Sequence, residues 1–249
     1  MHCVAISDIH GFLEKPSKMP NGDVLCICGD IVPLEYQSSY ERSIAWFLLE
    51  FVPWTDKLPY KKVIVVAGNH DFFFERLHKK GYSLEYDKEK DCTVEHYTWR
   101  SPSDVLKCLL PGNNKAKHKL TYLCDNSIEI EGIVFYGSPW VNLRGWAFHQ
   151  NSEGIRDKFS KIPKRCDVIL THTPPKFAGL GQVHSYLNDY GSQELADMLA
   201  ERQFKYALCG HVHSGQHSVV CQQDKHYANV SIKDEDYSPT YFPLEFDVE

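Results

Sequence analysis

Five short apolar runs, His2–Ile6, Val24–Cys28, Val63–Ala67, Val168–Leu170 and Tyr206–Cys209, each stop abruptly at polar residues. These short apolar runs read as strands. They deliver Ser7-Asp8-Ile9-His10, Gly29-Asp30, Gly68-Asn69-His70-Asp71, Thr171-His172-Thr173 and Gly210-His211-Val212-His213 just past their carboxyl ends. In α/β sheets that rim is where ligands bind. The glycines let the chain turn sharply and bring backbone close to a site.

Helices fill the gaps. Ile44, Phe47, Leu48 and Phe51 recur at i, i+3, i+4 and i+7, which predicts a helix from about Ser39 to Val52 closed by Pro53. Ser192 reads as the N-cap of a second helix that buries Leu195, Met198 and Leu199. This alternation predicts mainly parallel pairing early in the chain. Leu120–Leu123, Ser127–Ile130 and Ile133–Tyr136, separated by Asp125-Asn126 and Glu131-Gly132, predict an antiparallel meander. The fold class expected is α/β, with two stacked mixed β-sheets flanked by helices. Residues 82–119, with the charge run 87–91 and the loop 111–114, are expected to be surface excursions within one domain spanning 1–249.

A net charge of -6 argues against polymeric nucleic acid as the main partner, because phosphate backbones favour basic surfaces. No stretch reaches the roughly 18 apolar residues of a membrane span, so no membrane partner is expected. Nine cysteines without a CxxC pair suggest free thiols in a reducing cytoplasm rather than a disulfide framework. Oligomeric state is left open.

Asp, Asn and His in this mixture suit a pair of divalent ions better than a structural zinc. Two nearby cations need a carboxylate between them, and open positions then remain for water and substrate. A further imidazole near the leaving oxygen would serve as general acid, and His70 is the spare one. The ordered blocks D-x-H, G-D, G-N-H-D, H and G-H-x-H, from Asp8 to His213, resemble those of the calcineurin-like metallophosphoesterase superfamily. The tracts Phe135-Tyr136-Gly137-Ser138-Pro139-Trp140 and Thr171-His172-Thr173-Pro174-Pro175 resemble more narrowly its metallophosphoesterase-domain, 239-type phosphodiesterase subgroup.

The resemblance implies that Asp8, His10 and His213 bind a first metal, that Asp30 bridges, and that Asn69, His172 and His211 hold a second. It implies that His70 protonates or orients the leaving group, with Asp71 fixing its tautomer. The expected activity is a dinuclear-metal phosphohydrolase in which metal-bound hydroxide attacks phosphorus, with manganese first and Fe, Zn, Ni, Co or Mg as substitutes. A small phosphodiester, nucleotides included, is the substrate expected. A phosphomonoesterase with the same site is the alternative, and a non-enzymatic scaffold is disfavoured because no ligand is lacking.

Asp30 is followed by Ile31-Val32-Pro33-Leu34, without the acidic-arginine signature of phosphoprotein phosphatases. Pro33 also stands where purple acid phosphatases place a ligand tyrosine. His118, His149, His184, His217 and His226 match no motif and are expected to be structural or exposed. Trp140, Trp146 and Phe148 are expected in the core, a nucleobase wall being the other reading. Arg144 is either a phosphate contact or solvated, and Lys115, Lys117 and Lys119 are expected in a solvated loop.

Overall fold

A computed structural model describes residues 1–80, 119–183 and 188–249. The charge run 87–91, the loop 111–114, Lys115, Lys117, His118 and His184 lie outside the described residues. The strands are β1 (His2–Ile6), β2 (Val24–Cys28), β3 (Lys62–Val66), β4 (Leu120–Tyr122), β5 (Asn126–Ile130), β6 (Ile133–Ser138), β7 (Val168–Thr171), β8 (Gln182–Val183), β9 (Asn188–Asp189), β10 (Tyr206–Cys209), β11 (Val220–Gln222), β12 (Lys225–Asn229) and β13 (Leu244–Asp247). One sheet runs β13-β1-β2-β3-β4 and a second runs β11-β12-β10-β7-β6-β5, with β8 and β9 forming a separate small pair.

The first sheet is parallel except for β13. The second is parallel from β12 through β6, with antiparallel edges. Period-2 alternation sorts the side chains into layers. Cys3, Ala5, Cys26, Cys28, Ile64 and Val66 meet Phe135, Val168, Leu170 and Leu208 between the sheets. Val4, Ile6, Leu25, Ile27, Val63 and Val65 join a second core with Phe47, Phe51 and Phe74. Both faces of the parallel strands are therefore buried, which explains why they read as near-continuous apolar runs. The two stacked mixed sheets flanked by helices are the expected fold class.

Two local expectations are corrected. The predicted meander breaks at its first strand, because β4 pairs in parallel with β3 in the first sheet while β5 and β6 form a hairpin in the second. Pairing with β4 covers backbone groups of β3 that would otherwise form a sheet edge. Asp125, at φ 52°, redirects the chain between the sheets. The β5–β6 turn at Glu131-Gly132 has φ 48° and 83°, as a primed two-residue hairpin requires.

The other correction concerns Pro53. Ser39 does cap a helix, α1 (Tyr40–Trp46), by accepting from the Arg42 N–H. Helical backbone then continues through a π turn (Phe47–Phe51) into α2 (Val52–Lys57), which contains Pro53. Val52 N–H bonds to Phe47 O, five residues back. That wider register brings the chain into α2 near its first turn, where a proline needs no intrahelical donor. Among the described residues the further α-helices are α3 (Phe72–Lys80), α4 (Ser152–Ser160) and α5 (Gln193–Ala200). Ser192 caps α5 at the Leu195 N–H, and Leu195 and Leu199 are buried beneath it. Among the described residues no helix is long and apolar enough to cross a membrane.

Candidate metal centre

Strands β1, β2 and β3 bring Asp8, His10, Asp30, Asn69, His70 and Asp71 to one rim, and β7 and β10 bring His172, His211 and His213 to the facing rim. Four of these residues turn through left-handed backbone: Asp8 at φ 54°, His10 at 40°, Asp30 at 53° and His211 at 72°. Such conformations cost of order 1–3 kcal/mol each and persist where surrounding bonds over-determine them. Here Asp8 N–H bonds to Gly29 O at 3.0 Å and His10 N–H to Asp30 O at 2.9 Å. Close approach requires glycine at Gly68 and Gly210, among other turns of this rim. A Cβ on Gly68 would lie 2.2 Å from Asp30 Oδ1, and one on Gly210 2.3 Å from Asp8 Oδ2.

Two donor groups result, Asp8 with His10 and His213, and Asp8 with Asp30 and His172, each with donor atoms within 4.8 Å of one another. Asp30 Oδ2 lies 3.3 Å from His172 Nε2 and 3.8 Å from both His10 Nε2 and His70 Nε2. Asp8 Oδ1 lies 3.4 Å from His213 Nε2. Asn69 Oδ1 is 2.8 Å from His172 Nε2. His211 joins neither donor group; its backbone N–H donates to Asp8 Oδ2 at 2.9 Å, and its ring lies 5.0 Å from that of His172.

The outer contacts orient the rings. His172 Nδ1 donates to Cys28 O at 2.8 Å and His213 Nδ1 to Asp234 O at 2.8 Å. Each bond leaves Nε2 facing the cluster, the arrangement usual for metal-ligating histidine. Burial resists ionisation of Asp8 and Asp30, but His213 beside the first and His172 beside the second hold both carboxyls well below the usual carboxylate range. Burial works against charge on His172, yet Asp30 raises it to about 9. Burial lowers His10 and His211 to about 4, so both rings are neutral at pH 7. Among the described residues no Lys or Arg pairs with either buried carboxylate. His10 Nδ1 is buried without a hydrogen-bond partner. Buried carboxylates, neutral imidazoles and an orphaned ring nitrogen fit divalent cations held by mixed O and N donors.

Beside the cluster, the structure separates His70 from the partner expected for it. His70 Nδ1 is hydrogen-bonded to Gln37 Oε1, and its backbone N–H donates to Asp30 Oδ1 at 2.8 Å. Asp71 instead accepts from Gly68 N–H at 2.8 Å and from Ile31 and Val32 N–H at 3.0 Å each. It braces the loops behind β2 and β3, so the tautomer-fixing contact belongs to Gln37. Burial, then Asp30, pushes the Asp71 carboxyl up to about 7. Sequence reasoning missed Gln37, since a lone glutamine in a turn carries no pattern.

A cavity of about 330 Å³ opens over the cluster, lined by Asp30, Asn69, His70, His211 and His213 together with Leu143, Trp146, Val183, Tyr190, Val212, Ser214, Glu235 and Tyr237. Of the three candidate aromatic residues, Trp140 and Phe148 are core, whereas Trp146 lines this cavity with its ring 4.4 Å from that of His70. Arg144 is exposed and lines none of it. His217 stacks on Tyr241 and His226 on Tyr206, and His149 is half-buried. Lys119 Nζ donates to Leu58 O at 2.8 Å, fastening β4's entry rather than moving freely in solvent.

The calcineurin-like phosphoesterase profile matches residues 1–215. A UPF0046 protein of Caenorhabditis elegans is 31% identical over 98% of this chain and 80% of its own length. Human metallophosphoesterase domain-containing protein 1 is 29% identical over 98% of this chain and 70% of its own. Among solved structures, the phosphopantetheinyl hydrolase of Mycobacterium tuberculosis superposes with a TM-score of 0.51 at 14% identity, covering 94% of this chain and 90% of that one. The last likeness is one of fold.

Proposed function

This chain belongs to the calcineurin-like phosphoesterase family and is a phosphoric ester hydrolase, and we propose that it is a dinuclear-metal phosphodiesterase acting on small diesters, nucleotides included. In this reading Asp8, His10 and His213 would hold one ion, Asn69, His172 and His211 would hold the other, and Asp30 would serve both. Manganese is the proposed activator; oxygen-rich sites discriminate little among divalent ions, and availability decides occupancy. Bound there, the pair supplies an acidified water and offsets charge on the phosphoryl oxygens. The observation carrying the reading is two buried carboxylates among imidazoles whose Nε2 atoms face them at 3.3–3.8 Å.

The chain's own residues do the rest. His70 donates its Nδ1 proton to Gln37, so Nε2 is the atom turned to the reacting group. A proton on Nε2 passes to the leaving oxygen. Burial lowers the His70 pKa and makes its charged form a readier acid. Trp146 packs against the same ring and excludes water from that side. The described cavity lining contains no Lys or Arg. Apart from its histidines, the described lining offers a dianionic monoester no side-chain cation for its extra charge, which favours the monoanionic diester. We read residues 1–249 as one domain, and a reducing cytoplasm accords with seven described cysteines that are all free thiols.

The test is hydrolysis of an aryl phosphodiester and the matching monoester by metal-stripped, manganese-reloaded protein. Diester preference is expected, with metal content and turnover lost together in Asp30→Asn. Monoester preference would make the enzyme a phosphatase. Full turnover with both ions retained in Asp30→Asn would remove Asp30 from between the metals.

A further inference from the structure

The sequence Lys233-Asp234-Glu235-Asp236-Tyr237 lies beyond residue 215, where the family match ends. By composition it is an acidic surface turn. Its fold says more. The Asp234 side chain gathers the turn, with Oδ1 accepting from Asp236 N–H at 3.0 Å and Ser238 N–H at 2.9 Å, and Oδ2 accepting from Thr240 Oγ1 at 2.7 Å. The backbone closes the same loop, Asp234 N–H to Ser238 O at 3.0 Å and Tyr237 N–H to Asp234 O at 2.9 Å. That carbonyl, held on both sides, also accepts His213 Nδ1 at 2.8 Å.

The turn is fixed to the site from three directions. Ile232 N–H bonds to Ser7 O at 3.1 Å, next to Asp8. Lys233 Nζ, though buried, reaches His10 O at 3.4 Å. Tyr237 sets its ring at 77° to His10 and 76° to His213, with centroids 4.9 and 5.0 Å away. Its backbone is left-handed, φ 59°, a strained state that the Asp234 contacts sustain.

We propose that Asp234 is a positioning residue of the metal centre: by shaping this turn it aims a backbone carbonyl at His213 Nδ1, keeps that nitrogen protonated, and so presents His213 Nε2 to one of the two ions. The inference rests on the metal-site reading above. An outer partner of a metal-bound histidine commonly contributes 10–100-fold in affinity.

The test uses full-length native protein, Asp234→Ala, Asp234→Asn and Thr240→Val. Manganese binding is followed by titration, and the hydrogen-bonded Nδ1 proton of His213 by NMR of the zinc-loaded protein. In Asp234→Ala, affinity for one ion falls by about 10–100-fold while the other is held, and the His213 proton resonance shifts or broadens. Asp234→Asn restores both, because its Oδ1 still accepts from Asp236 and Ser238. Thr240→Val, which loses one contact, shifts affinity in the same direction by less. Native affinity and an unmoved resonance in Asp234→Ala would overturn the proposal. So would an Asp234→Asn protein as impaired as Asp234→Ala, since charge rather than turn shape would then be responsible. If the native protein itself binds fewer than two ions, the metal-site reading falls instead.

Discussion

His70 and Asp71 are adjacent, yet their side chains face different partners: Gln37 and the cavity for the first, backbone amides of Gly68, Ile31 and Val32 for the second. In the proposed mechanism His70→Gln keeps both metals and slows hydrolysis of a diester with a poor leaving group by about 10²–10⁴-fold. Gln37→Leu should give a smaller loss, about 10–100-fold, because the ring stays but its Nδ1 proton loses its acceptor. Both effects should shrink on an activated aryl ester, whose leaving oxygen needs little protonation. Equal losses on both ester types in Gln37→Leu would show that Gln37 supports the loop and not the proton. The candidate ligands were legible because each sits at a strand's carboxyl end in a short motif. Gln37 and Asp234 were not, since each acts through a loop that only the tertiary fold brings to its histidine.

At the level of elements, strand identity was readable from apolar runs, but partner choice was not. Leu120–Leu123 has the alternation of a meander strand, and its sheet is decided by the backbone groups of β3 that it pairs with. Pro53 similarly looks like a stop until the π turn before it changes the register. The outer edge of the first sheet carries a prediction of its own. His2, on β1, bonds through Nδ1 to Asp247 at 3.0 Å and through Nε2 to Glu245 at 3.3 Å, both on β13. The Asp247 bond, followed by that to Glu245, outweighs burial and raises the His2 pKa above the ordinary 6.5. A raised folded-state value stabilises the protein fully below pH 6.5 and ceases to do so as pH climbs through the folded value. His2→Gln is therefore expected to be less stable than native protein in urea below that pH, with the two curves converging as pH rises through the folded value. The difference should be small, because the pair is exposed and screened. A gap that persists unchanged as pH rises would show that His2 holds β13 by packing and not by charge.

For the whole molecule, the position of the candidate centre matters as much as its composition. Asp8, His10, Asp30 and Asn69 follow strands of the first sheet, and His172, His211 and His213 follow strands of the second. Apolar packing already joins the sheets through Cys26, Cys28, Phe135 and Leu170. Ions bound at the shared rim would join them again, and only in the folded state, since the unfolded chain separates Asp8 from His213. Linkage then sets the size of the effect: a ligand at one hundred times its dissociation constant adds about 2.7 kcal/mol per site. Two sites give roughly 5 kcal/mol, and a chain of this size gains about 2–4 °C per kcal/mol. Saturating manganese should therefore raise the unfolding midpoint of stripped protein by about 10–20 °C, and a chelator should reverse it. Asp30→Asn should lose most of that gain, because in the proposed centre the Asp30 carboxylate would offset the repulsion between the two ions. A full midpoint increase in that variant would mean that the ions stabilise the fold from separate sites and leave the two rims independent.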